Sequence, residues 1–398
     1  PFGVFITKDD IITIGTRIGE FAIDLGAFHQ LGYFKDIPLT DDIFMQDSLN
    51  DFIADGRKTW RLVRNRIADV FDAENSDLRD NVKHRDIIIF DVNDVEMLLP
   101  IDVGDYTDFY SSREHATNVG EMFRGKDNAL MPIWLHIPIA YHGRSSSIVV
   151  SGTYIHRPKG QFMQNGETQT VFGPSRRLDI ELETAFITTA ANHLGEPIDV
   201  NDADEHIFGM VLFNDWSARD IQKWEYAPLG PFLGKNFAST ISPWIVTMDA
   251  LEPFRCESPK QEVEPLAYLK QKRTDNSYDI KLKVILETEN GDLNTLSNSN
   301  FKYMYWTMAQ QLAHHTVNGC NVRAGDMMGS GTLSGPTKDS YGSLLELSWG
   351  GKEPITLKDG TTRTFLNDGD NVLLRGYCKN ETVRLGFGKC TGKILPSV

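Results

Sequence analysis

One stretch sets the organisation of this chain: Gly104-Asp-Tyr-Thr-Asp-Phe-Tyr-Ser-Ser-Arg-Glu-His115. It follows Met97-Leu-Leu-Pro100, and the breaks at Pro100 and Gly104 predict a domain boundary near residue 100. Three carboxylates, two phenols, an arginine and a histidine lie together in this stretch, a high density of reactive groups for a loop. The sequence therefore predicts that a second domain begins here and that its first residues supply half of a polar site.

Residues 1–100 predict a small domain of short strands and helices. Apolar runs such as Phe21-Ala-Ile-Asp-Leu25 are bounded by turns and indicate a small β unit. Residues 47–72 carry apolar side chains at a period of about 3.6 residues, which predicts one or two helices interrupted at Gly56. The candidate N-caps of the first helix are Asp47 and Ser48.

Residues 101–398 predict a large, mostly β domain, because runs of Val, Ile, Phe and Tyr alternate with Gly and Pro. The exception is Phe301 to Asn318, whose pattern predicts a helix closed by Gly319. A chain of 398 residues exceeds the size at which a single core usually stops growing. We therefore predict a fold that is mainly β with some α, in two domains.

The composition excludes several classes of protein. With 55 acidic and 40 basic residues, the chain lacks the concentrated positive charge that nucleic-acid binding requires. Its four cysteines form no Cys-x-x-Cys pair, which argues against a zinc knuckle or a redox motif and favours free thiols. No apolar run reaches the roughly 20 residues that span a bilayer, and no secretory signal is visible. We expect a cytoplasmic protein without a membrane partner, and we expect residues to precede Pro1.

A second acidic set lies downstream, in Leu178-Asp-Ile-Glu-Leu-Glu183 and at Asp215. In a strand, the alternation of residues 178–183 would place the three acids on one face. Two carboxylates about 4 Å apart repel by roughly 4 kcal/mol at an effective dielectric near 20, so a cluster with Asp108 would need protons or a cation. Oxygen ligands favour calcium, magnesium or manganese over zinc. The alternative is a solvated strand face, which is the default for exposed acids.

The segment 214–226 follows the apolar run Phe208-Gly-Met-Val-Leu-Phe213 and has a helical pattern. If a helix begins after Asp215, three polar side chains form a stripe that could line a pocket. These side chains are Arg219, Gln222 and Tyr226. The alternative is an ordinary amphipathic helix with Trp216 and Trp224 in the core, and the residues alone leave both open.

His115 is a candidate general base, although a lone histidine is more often structural. Such a base needs a carboxylate to hold its tautomer, and that partner can be distant in sequence. Glu346 is the candidate, since it lies in Ser343-Leu-Leu-Glu-Leu-Ser-Trp349, a predicted apolar strand where an unpaired charge is costly. The pair His314-His315 is predicted to be structural. A serine hydrolase is unsupported, because the sequence contains no Gly-x-Ser-x-Gly.

Several motifs resemble the fumarylacetoacetate hydrolase family. The resemblance covers most of residues 100–398, and residues 1–100 match more loosely, mainly in the opening Pro1-Phe-Gly-Val-Phe5. The motifs are Gly104 to Gly120, Met122-Phe-Arg-Gly-Lys126, Tyr141-His-Gly-Arg144, Asn214-Asp-Trp-Ser-Ala-Arg-Asp220, Pro228-Leu-Gly-Pro-Phe-Leu-Gly-Lys235 and the C-terminal Gly386-Phe-Gly-Lys-Cys-Thr-Gly392.

The resemblance implies a small N-terminal SH3-like barrel over residues 1–100 and a mixed β-sandwich roll of the family type over residues 101–398, paired into a homodimer. It also implies metal-dependent hydrolysis of a carbon–carbon bond in 4-fumarylacetoacetate, a small β-diketo acid. The products are fumarate and acetoacetate, at the last step of tyrosine and phenylalanine catabolism.

Carried onto this chain, the resemblance assigns a role to each candidate residue. The calcium ligands would be Asp108, Glu181, Glu183 and Asp215. A second cation site, for magnesium, would lie near Asp215 beside Lys235 and Ser239. His115 would activate water, oriented by Glu346, while Arg219 and Lys235 would stabilise developing negative charge. The substrate would be held by Tyr110, Arg124, Gln222, Tyr226 and Thr332. Ser239 departs from the family, where threonine is common, but its hydroxyl is retained.

The assigned chemistry is consistent in physical terms. Water deprotonated by His115 adds to one carbonyl of the β-diketone, and collapse expels an enolate that needs an electrophile to accept its charge. Two alternatives remain. Acylpyruvate hydrolases, decarboxylases and isomerases of the broader family share the Glu-x-Glu plus Asp pattern, although the Tyr110 to His115 segment favours the fumaryl substrate. The chain could also be a non-catalytic calcium-binding or scaffold protein.

Overall fold

The computed structural model describes residues 1–163, 168–189 and 192–398, and in it the first hundred residues form a five-stranded antiparallel sheet with helices beside it. The strands are β1 (Phe2–Ile6), β2 (Ile12–Ile18), β3 (Phe21–Asp24), β4 (Ile89–Asp91) and β5 (Glu96–Met97). The helices are α1 (Leu25–Gln30), α2 (Asn50–Ala54), α3 (Gly56–Val70), α4 (Ser76–Arg79) and α5 (Val82–Ile88). The order β4-β3-β2-β1-β5 gives a half-barrel, in agreement with the predicted small β domain.

The break between α2 and α3 lies at Gly56, as predicted. Gly56 has a φ of +85°, a left-handed conformation that glycine adopts without steric cost. The predicted N-caps Asp47 and Ser48 are wrong, because α2 begins at Asn50 and is preceded by Leu49, which makes no side-chain cap. Leu49 is fully buried and its N–H donates to the carbonyl of Pro100, so packing rather than capping fixes the start of this helix.

The remainder of the chain is mostly β, as predicted. Its strands are β6 (Tyr106–Phe109), β7 (Ala140–His142), β8 (Ile148–Val150), β9 (Ile155–His156), β10 (Lys159–Met163), β11 (Thr170–Pro174), β12 (Leu178–Asp179), β13 (Leu182–Thr188), β14 (Ile207–Asp215), β15 (Ser217–Ala218), β16 (Ser239–Ile241), β17 (Val246–Thr247), β18 (Arg255–Cys256), β19 (Ser277–Tyr278), β20 (Lys281–Glu287), β21 (Leu293–Asn300), β22 (Met327–Gly329), β23 (Ile355–Thr356), β24 (Thr362–Arg363), β25 (Asn371–Lys379) and β26 (Arg384–Leu395). Its helices are α6 (Arg113–Arg124), α7 (Arg219–Glu225), α8 (Met248–Leu251), α9 (Met308–Thr316) and α10 (Leu344–Leu347). Across the described ranges, no helix combines the length and apolar character needed to cross a membrane.

A central mixed sheet carries the polar residues of interest and is covered on both faces. Its main path is β7-β6-β22-β13-β14-β16-β8, and a second sheet has the order β21-β20-β25-β26-β9. In β13, Leu182 and Phe186 pack into the core shared with the second sheet, whereas Ala185 and Ile187 pack into the core shared with the N-terminal sheet. The period of two in β13 therefore divides its side chains between two cores.

The predicted helix from Phe301 to Asn318 is shorter than expected. Residues Phe301–Tyr303 form a separate 3-10 turn, and α9 begins only at Met308. Thr307 accepts a hydrogen bond from the N–H of Gln310, whose side chain accepts one from the N–H of Thr307, so a reciprocal capping box starts the helix there. Gly319 follows the helix end with a φ of +91°.

Candidate active site and metal centre

Four buried carboxylates converge at one end of the central sheet. They belong to Asp108, Glu181, Glu183 and Asp215, and one oxygen from each lies within 4.8 Å of the others. Because all four side chains are buried, the solvated strand face considered as an alternative is wrong. The strand over residues 178–183 is also interrupted, since β12 ends at Asp179 and β13 begins at Leu182.

The register of the sheet explains why these acids meet. Glu183 pairs with Phe213 across β13 and β14, so Asp215, two residues further on, projects from the same face as a diagonal neighbour. Ala185 and Phe213 on this face pack into the core beneath the N-terminal sheet. Glu183 and Asp215 therefore lie on the same face of the sheet as Ala185 and Phe213, just beyond the end of that apolar core.

Two cations partly neutralise the cluster. Lys235 Nζ donates to both Glu181 and Asp215. Arg219 Nη2 lies 2.8 Å from Glu181 Oε1, and Arg219 Nε donates to Asp179 Oδ2 over 2.8 Å. Four carboxylates facing two cations leave an excess of negative charge within the buried site.

The pKa values follow this imbalance. Burial, reinforced by Asp215, raises the pKa of Asp108 well above its usual value. Burial, reinforced by Asp108, does the same for Glu183. Burial would also raise the pKa of Glu181, but Lys235 and Arg219 outweigh it and lower that pKa. The imbalance therefore favours the protonated forms of Asp108 and Glu183 unless another positive charge binds.

The donor set fits a hard divalent cation. Among the described residues, Asp108 Oδ1 and Glu183 Oε1 have no hydrogen-bond partner. Gly329 lies between the strands that carry them, and a Cβ on Gly329 would approach Asp108 Oδ1 to 2.9 Å. The buried, orphaned carboxylate oxygens and the space kept by glycine are what an oxygen-ligated cation requires.

Asp215 is held by three donors from three strands or loops. Ser239 Oγ donates to Oδ1 over 2.9 Å, and Lys235 and Tyr141 donate to Oδ2, the tyrosine over 3.1 Å. Tyr141 pairs with Asp108 in the register of β6 and β7. Tyr141 was not among the predicted site residues, although it begins one of the motifs that carry the family resemblance.

His115 and Glu346 form a second buried polar group. His115 lies in α6, and its Nδ1 lies 2.7 Å from Glu346 Oε2. Because Nδ1 faces a carboxylate, its proton donates there and Nε2 is left as the ring atom that can accept a proton. The bridge between Glu181 and Ser343, the N-cap residue of α10, brings this pair next to the carboxylate cluster.

Glu346 lies in α10, so the predicted strand over residues 343–349 is wrong. Ser343 caps this short helix by accepting from the N–H of Glu346, which favours a turn over an extended run. The carboxylate accepts hydrogen bonds from three further side chains: Asn118 Nδ2 over 2.9 Å, Ser334 Oγ over 2.9 Å and Ser343 Oγ over 2.8 Å. Burial opposes ionisation, but His115 and these donors outweigh it and lower the pKa of Glu346. Neither Asn118 nor Ser334 was predicted as a partner of Glu346, although Asn118 lies in the Gly104 to Gly120 motif.

The helix after Asp215 begins later than predicted. Asp215 ends β14, and α7 runs from Arg219 to Glu225. Arg219 Nη1 donates to Gln222 Oε1 over 3.2 Å, so these two members of the predicted stripe are in contact. Tyr226 follows the helix and is 57% exposed. The alternative with both tryptophans in the core is half wrong, since Trp216 is buried and Trp224 is exposed.

The remaining candidate residues lie in different settings. The ring of Tyr110 meets the ring of His115 edge-on, with centroids 5.3 Å apart. Thr332 is buried, and its hydroxyl has no partner among the described residues. Arg124, the last residue of α6, donates instead to the carbonyls of Asn128 and Ala129, so its guanidinium is engaged by the following loop.

The chain is similar to known proteins over its whole length. A family profile described as "Fumarylacetoacetate (FAA) hydrolase C-terminal" matches residues 106–394, and one described as "Fumarylacetoacetase N-terminal" matches residues 1–100. The chain is 52% identical over 400 residues to a fumarylacetoacetase of Arabidopsis thaliana, covering 100% of this chain and 94% of that protein. A fumarylacetoacetase of Homo sapiens is also 52% identical over 400 residues, with 100% and 95% covered.

A solved structure with the same fold is the fumarylacetoacetate hydrolase from psychrophilic Exiguobacterium antarcticum. It is 19% identical, has a TM-score of 0.55, and the match covers 100% of both chains. This likeness establishes the fold. The two profile matches and the full-length relatives establish more: the chain belongs to the fumarylacetoacetate hydrolase family.

Proposed function

We propose that this chain hydrolyses the carbon–carbon bond of 4-fumarylacetoacetate to give fumarate and acetoacetate, as the last step of tyrosine and phenylalanine catabolism. Relatives about half identical over the whole chain carry the name fumarylacetoacetase. The observation that carries the proposal is that two buried polar groups lie next to each other. A His115–Glu346 pair suited to activate water adjoins a carboxylate cluster with excess negative charge.

The cluster would hold a hard cation, for which calcium is the first candidate. Its ligands would be the four clustered acids, Asp108, Glu181, Glu183 and Asp215. When bound, such an ion supplies Lewis-acid stabilisation of the negative charge on the reacting diketone. Magnesium would occupy a second site near Asp215 and Ser239. Burial disfavours the charged form of Lys235, but Asp215 and Glu181 outweigh it and raise its pKa, so Lys235 would neighbour a cation as an ammonium.

The chain's own residues account for the proton transfers. His115 Nε2 takes a proton from water while the ionised Glu346 holds the ring and stabilises the imidazolium. The hydroxide adds to the carbonyl carbon of the fumaryl group and forms a tetrahedral alkoxide. When the alkoxide reforms the carbonyl, the carbon–carbon bond breaks and its electron pair leaves as the enolate of acetoacetate. The enolate then takes the proton from the imidazolium.

Two further groups of residues would act on the substrate. Arg219 and Lys235 are buried cations beside Glu181, and both would stabilise the developing negative charge. The substrate's carboxylate and keto oxygens would be held by Tyr110, Arg124, Gln222, Tyr226 and Thr332. Thr332 supplies a buried hydroxyl that is free among the described residues.

We also propose that the chain works as a cytoplasmic homodimer. Large apolar side chains are exposed just after α7, including Leu229 and Phe232, and a second copy would cover them. All four cysteines, which lie in the described residues, are free thiols, as a reducing compartment favours. Light scattering of the purified protein measures the mass, and a monomer at micromolar concentration would contradict the dimer.

The decisive assay follows the loss of the conjugated-diketone absorbance of fumarylacetoacetate with a chelator and after calcium is restored. We expect turnover that the chelator abolishes and calcium recovers. His115→Ala should lower turnover about 10²–10⁴-fold while calcium binding persists. His314→Ala is the matched control and should keep wild-type turnover, because His314 lies in α9 and contacts Tyr268.

Other outcomes identify the alternatives. Metal-dependent cleavage of an acylpyruvate without cleavage of fumarylacetoacetate would assign the chain to another branch of the family. Calcium binding without turnover of any diketo acid would favour a non-catalytic protein. Wild-type turnover in His115→Ala would remove the general-base assignment.

A further inference from the structure

Asp179 is a fully buried carboxylate outside both groups described above. It ends β12, which pairs with β15, the strand directly before α7. Its two oxygens accept hydrogen bonds from both sides of the site, and each side carries a residue of the proposed mechanism.

The first contact is with Arg219, whose Nε donates to Asp179 Oδ2 over 2.8 Å. A guanidinium is planar and rigid, so holding Nε fixes the direction of both terminal nitrogens. These nitrogens face Glu181 Oε1 at 2.8 Å and Gln222 Oε1 at 3.2 Å. Asp179 therefore sets which edge of Arg219 is presented to the carboxylate cluster.

The second contact is with the first turn of α10. Asp179 Oδ1 accepts from the N–H of Leu344 over 2.7 Å, and Oδ2 accepts from the N–H of Leu345 over 3.0 Å. N–H groups in the first turn of a helix have no partner within it, so an outside acceptor anchors them. Because α10 is four residues long and contains Glu346, a shift of its first turn moves the carboxylate that holds His115.

We propose that Asp179 is a positioning residue that couples Arg219 to the His115–Glu346 pair. The hydrogen bonds of its carboxylate go to Arg219 and to backbone N–H groups and not to the four clustered acids. Its carboxylate directs the guanidinium of Arg219 toward the metal site. Through α10 it also positions Glu346 behind His115, so both halves of the site keep their alignment together. This inference rests on the proposed function, because it assigns Asp179 a part in that reaction.

The test is Asp179→Asn, which keeps the size of the side chain but removes its charge and turns a donor toward Arg219 or toward the N–H groups of α10. We expect kcat to fall about 10–100-fold, with KM within about threefold, as for other residues that orient catalytic groups. Calcium affinity should fall about tenfold, because the freed charge of Arg219 competes with the cation for Glu181. Calorimetry measures this affinity without substrate.

The matched control is Asp370→Asn. Asp370 is also a buried aspartate that accepts from an arginine and a backbone N–H, namely Arg363 Nε over 3.1 Å and Asn367 N over 2.8 Å. It should lose similar thermal stability but keep wild-type kcat and calcium affinity. If Asp179→Asn behaves like this control, Asp179 is merely structural and the proposal is overturned.

A double-mutant cycle tests the coupling. Asp179→Asn should cost less in the Arg219→Lys and Glu346→Gln backgrounds than in the wild type, and additive losses in both would overturn the proposal. If Asp179→Asn does not fold, Asp179→Ser carries the same measurements, since its hydroxyl can accept one N–H of α10 but cannot pair with Arg219. If the wild type is inactive on fumarylacetoacetate but Asp179→Asn still lowers calcium affinity, only the proposed function is contradicted. If the wild type is active and Asp179→Asn is unaffected, only the positioning role is contradicted.

Discussion

Glu346 and Glu183 are both fully buried glutamates of one site, and the groups around them differ in kind. Glu346 accepts hydrogen bonds from four side chains: His115, Asn118, Ser334 and Ser343. Glu183 Oε2 accepts one bond, from the N–H of Gly331 over 3.0 Å, and Oε1 has no partner among the described residues. The pKa of Glu346 is lowered and that of Glu183 is raised, although burial pushes both upward.

The difference shows how one protein prepares two carboxylates for two tasks. Burying an ionised carboxylate is costly unless hydrogen bonds or charges replace its water. Around Glu346 the chain itself supplies the replacement, so this acid stays ionised and can orient His115. Around Glu183 the replacement is incomplete, so burial favours its protonated form, and under the proposed function a cation would replace that proton. The first arrangement is complete on folding, whereas the second would be completed by the proposed cation.

The largest expected effect comes from disrupting the hydrogen bonds around Glu346. In Glu346→Gln, an amide N–H₂ faces groups that donate, and the ring of His115 loses the charge that holds its tautomer. We expect kcat to fall about 10³-fold, within the range seen for such partners, and the unfolding free energy to drop by about 1–3 kcal/mol. Single-turnover kinetics and denaturant melts measure both. Glu353→Gln, at an exposed pair with Lys338, is the control. A loss of kcat below tenfold would contradict the assignment.

Glu183→Gln should have the opposite effect on stability to Glu346→Gln. Glu183→Gln removes one of four mutually repelling acids, so the metal-free protein should gain about 1–3 kcal/mol in unfolding free energy. Calcium affinity should fall roughly 100-fold, equivalent to about 2.7 kcal/mol, because a ligand is lost. Melts with a chelator and calorimetric titration test the pair of effects. A metal-free variant less stable than wild type would refute the comparison.

A third prediction concerns pH. The folded-state pKa values of Glu183 and Asp108 are raised, so their contribution to stability is fully present below the unfolded value near 4 and is lost as pH rises toward the folded pKa. The folded-state pKa of Glu346 is lowered, so its contribution is present above the unfolded value and is lost as pH falls through the folded pKa. Between about pH 5 and 8, the metal-free protein should therefore lose stability as pH rises.

Calcium should reverse much of this loss by replacing protons. Its binding should release about one proton and strengthen up to about tenfold per pH unit. Calorimetry in two buffers of different ionisation enthalpy counts the protons. Wild type should release more protons on binding calcium than Glu183→Gln does. Equal heats in both buffers would show that the acids are already ionised in the metal-free protein.

The smallest expected effect sharpens the comparison at Asp215, whose carboxylate is partly satisfied. Ser239→Thr keeps the hydroxyl that donates to Asp215 Oδ1 over 2.9 Å, so kcat and calcium affinity should stay within about twofold, because the hydrogen bond survives. The methyl group added at this buried site should instead cost stability, typically about 1–3 kcal/mol. Ser239→Ala should weaken calcium binding about fivefold, roughly 1 kcal/mol, the usual worth of one hydrogen bond. A threonine variant as impaired as the alanine variant would mean that packing rather than the hydroxyl matters.

Local patterns predicted much of this protein because they act over a few residues. Runs of Val, Ile, Phe and Tyr between turns indicated the strands, the period near 3.6 indicated α3, and Gly56 marked the break before it, since residue preferences and glycine's freedom do not depend on distant partners. Helix starts were less predictable. Leu49 precedes α2 because it is buried, and α9 begins at Met308 because a capping box at Thr307 competes with the longer apolar pattern.

What the sequence determined by itself was the family, the mainly β fold and the set of acids that could meet, because motifs and periods are written along the chain. The tertiary structure alone decided how these acids are divided. Asp179, Glu181 and Glu183 share one alternating stretch, yet Asp179 pairs with Arg219 and α10 while the other two join Asp108 and Asp215. Charge and hydrogen bonding act across space, so the partners that set each carboxylate's protonation come from segments far apart in sequence.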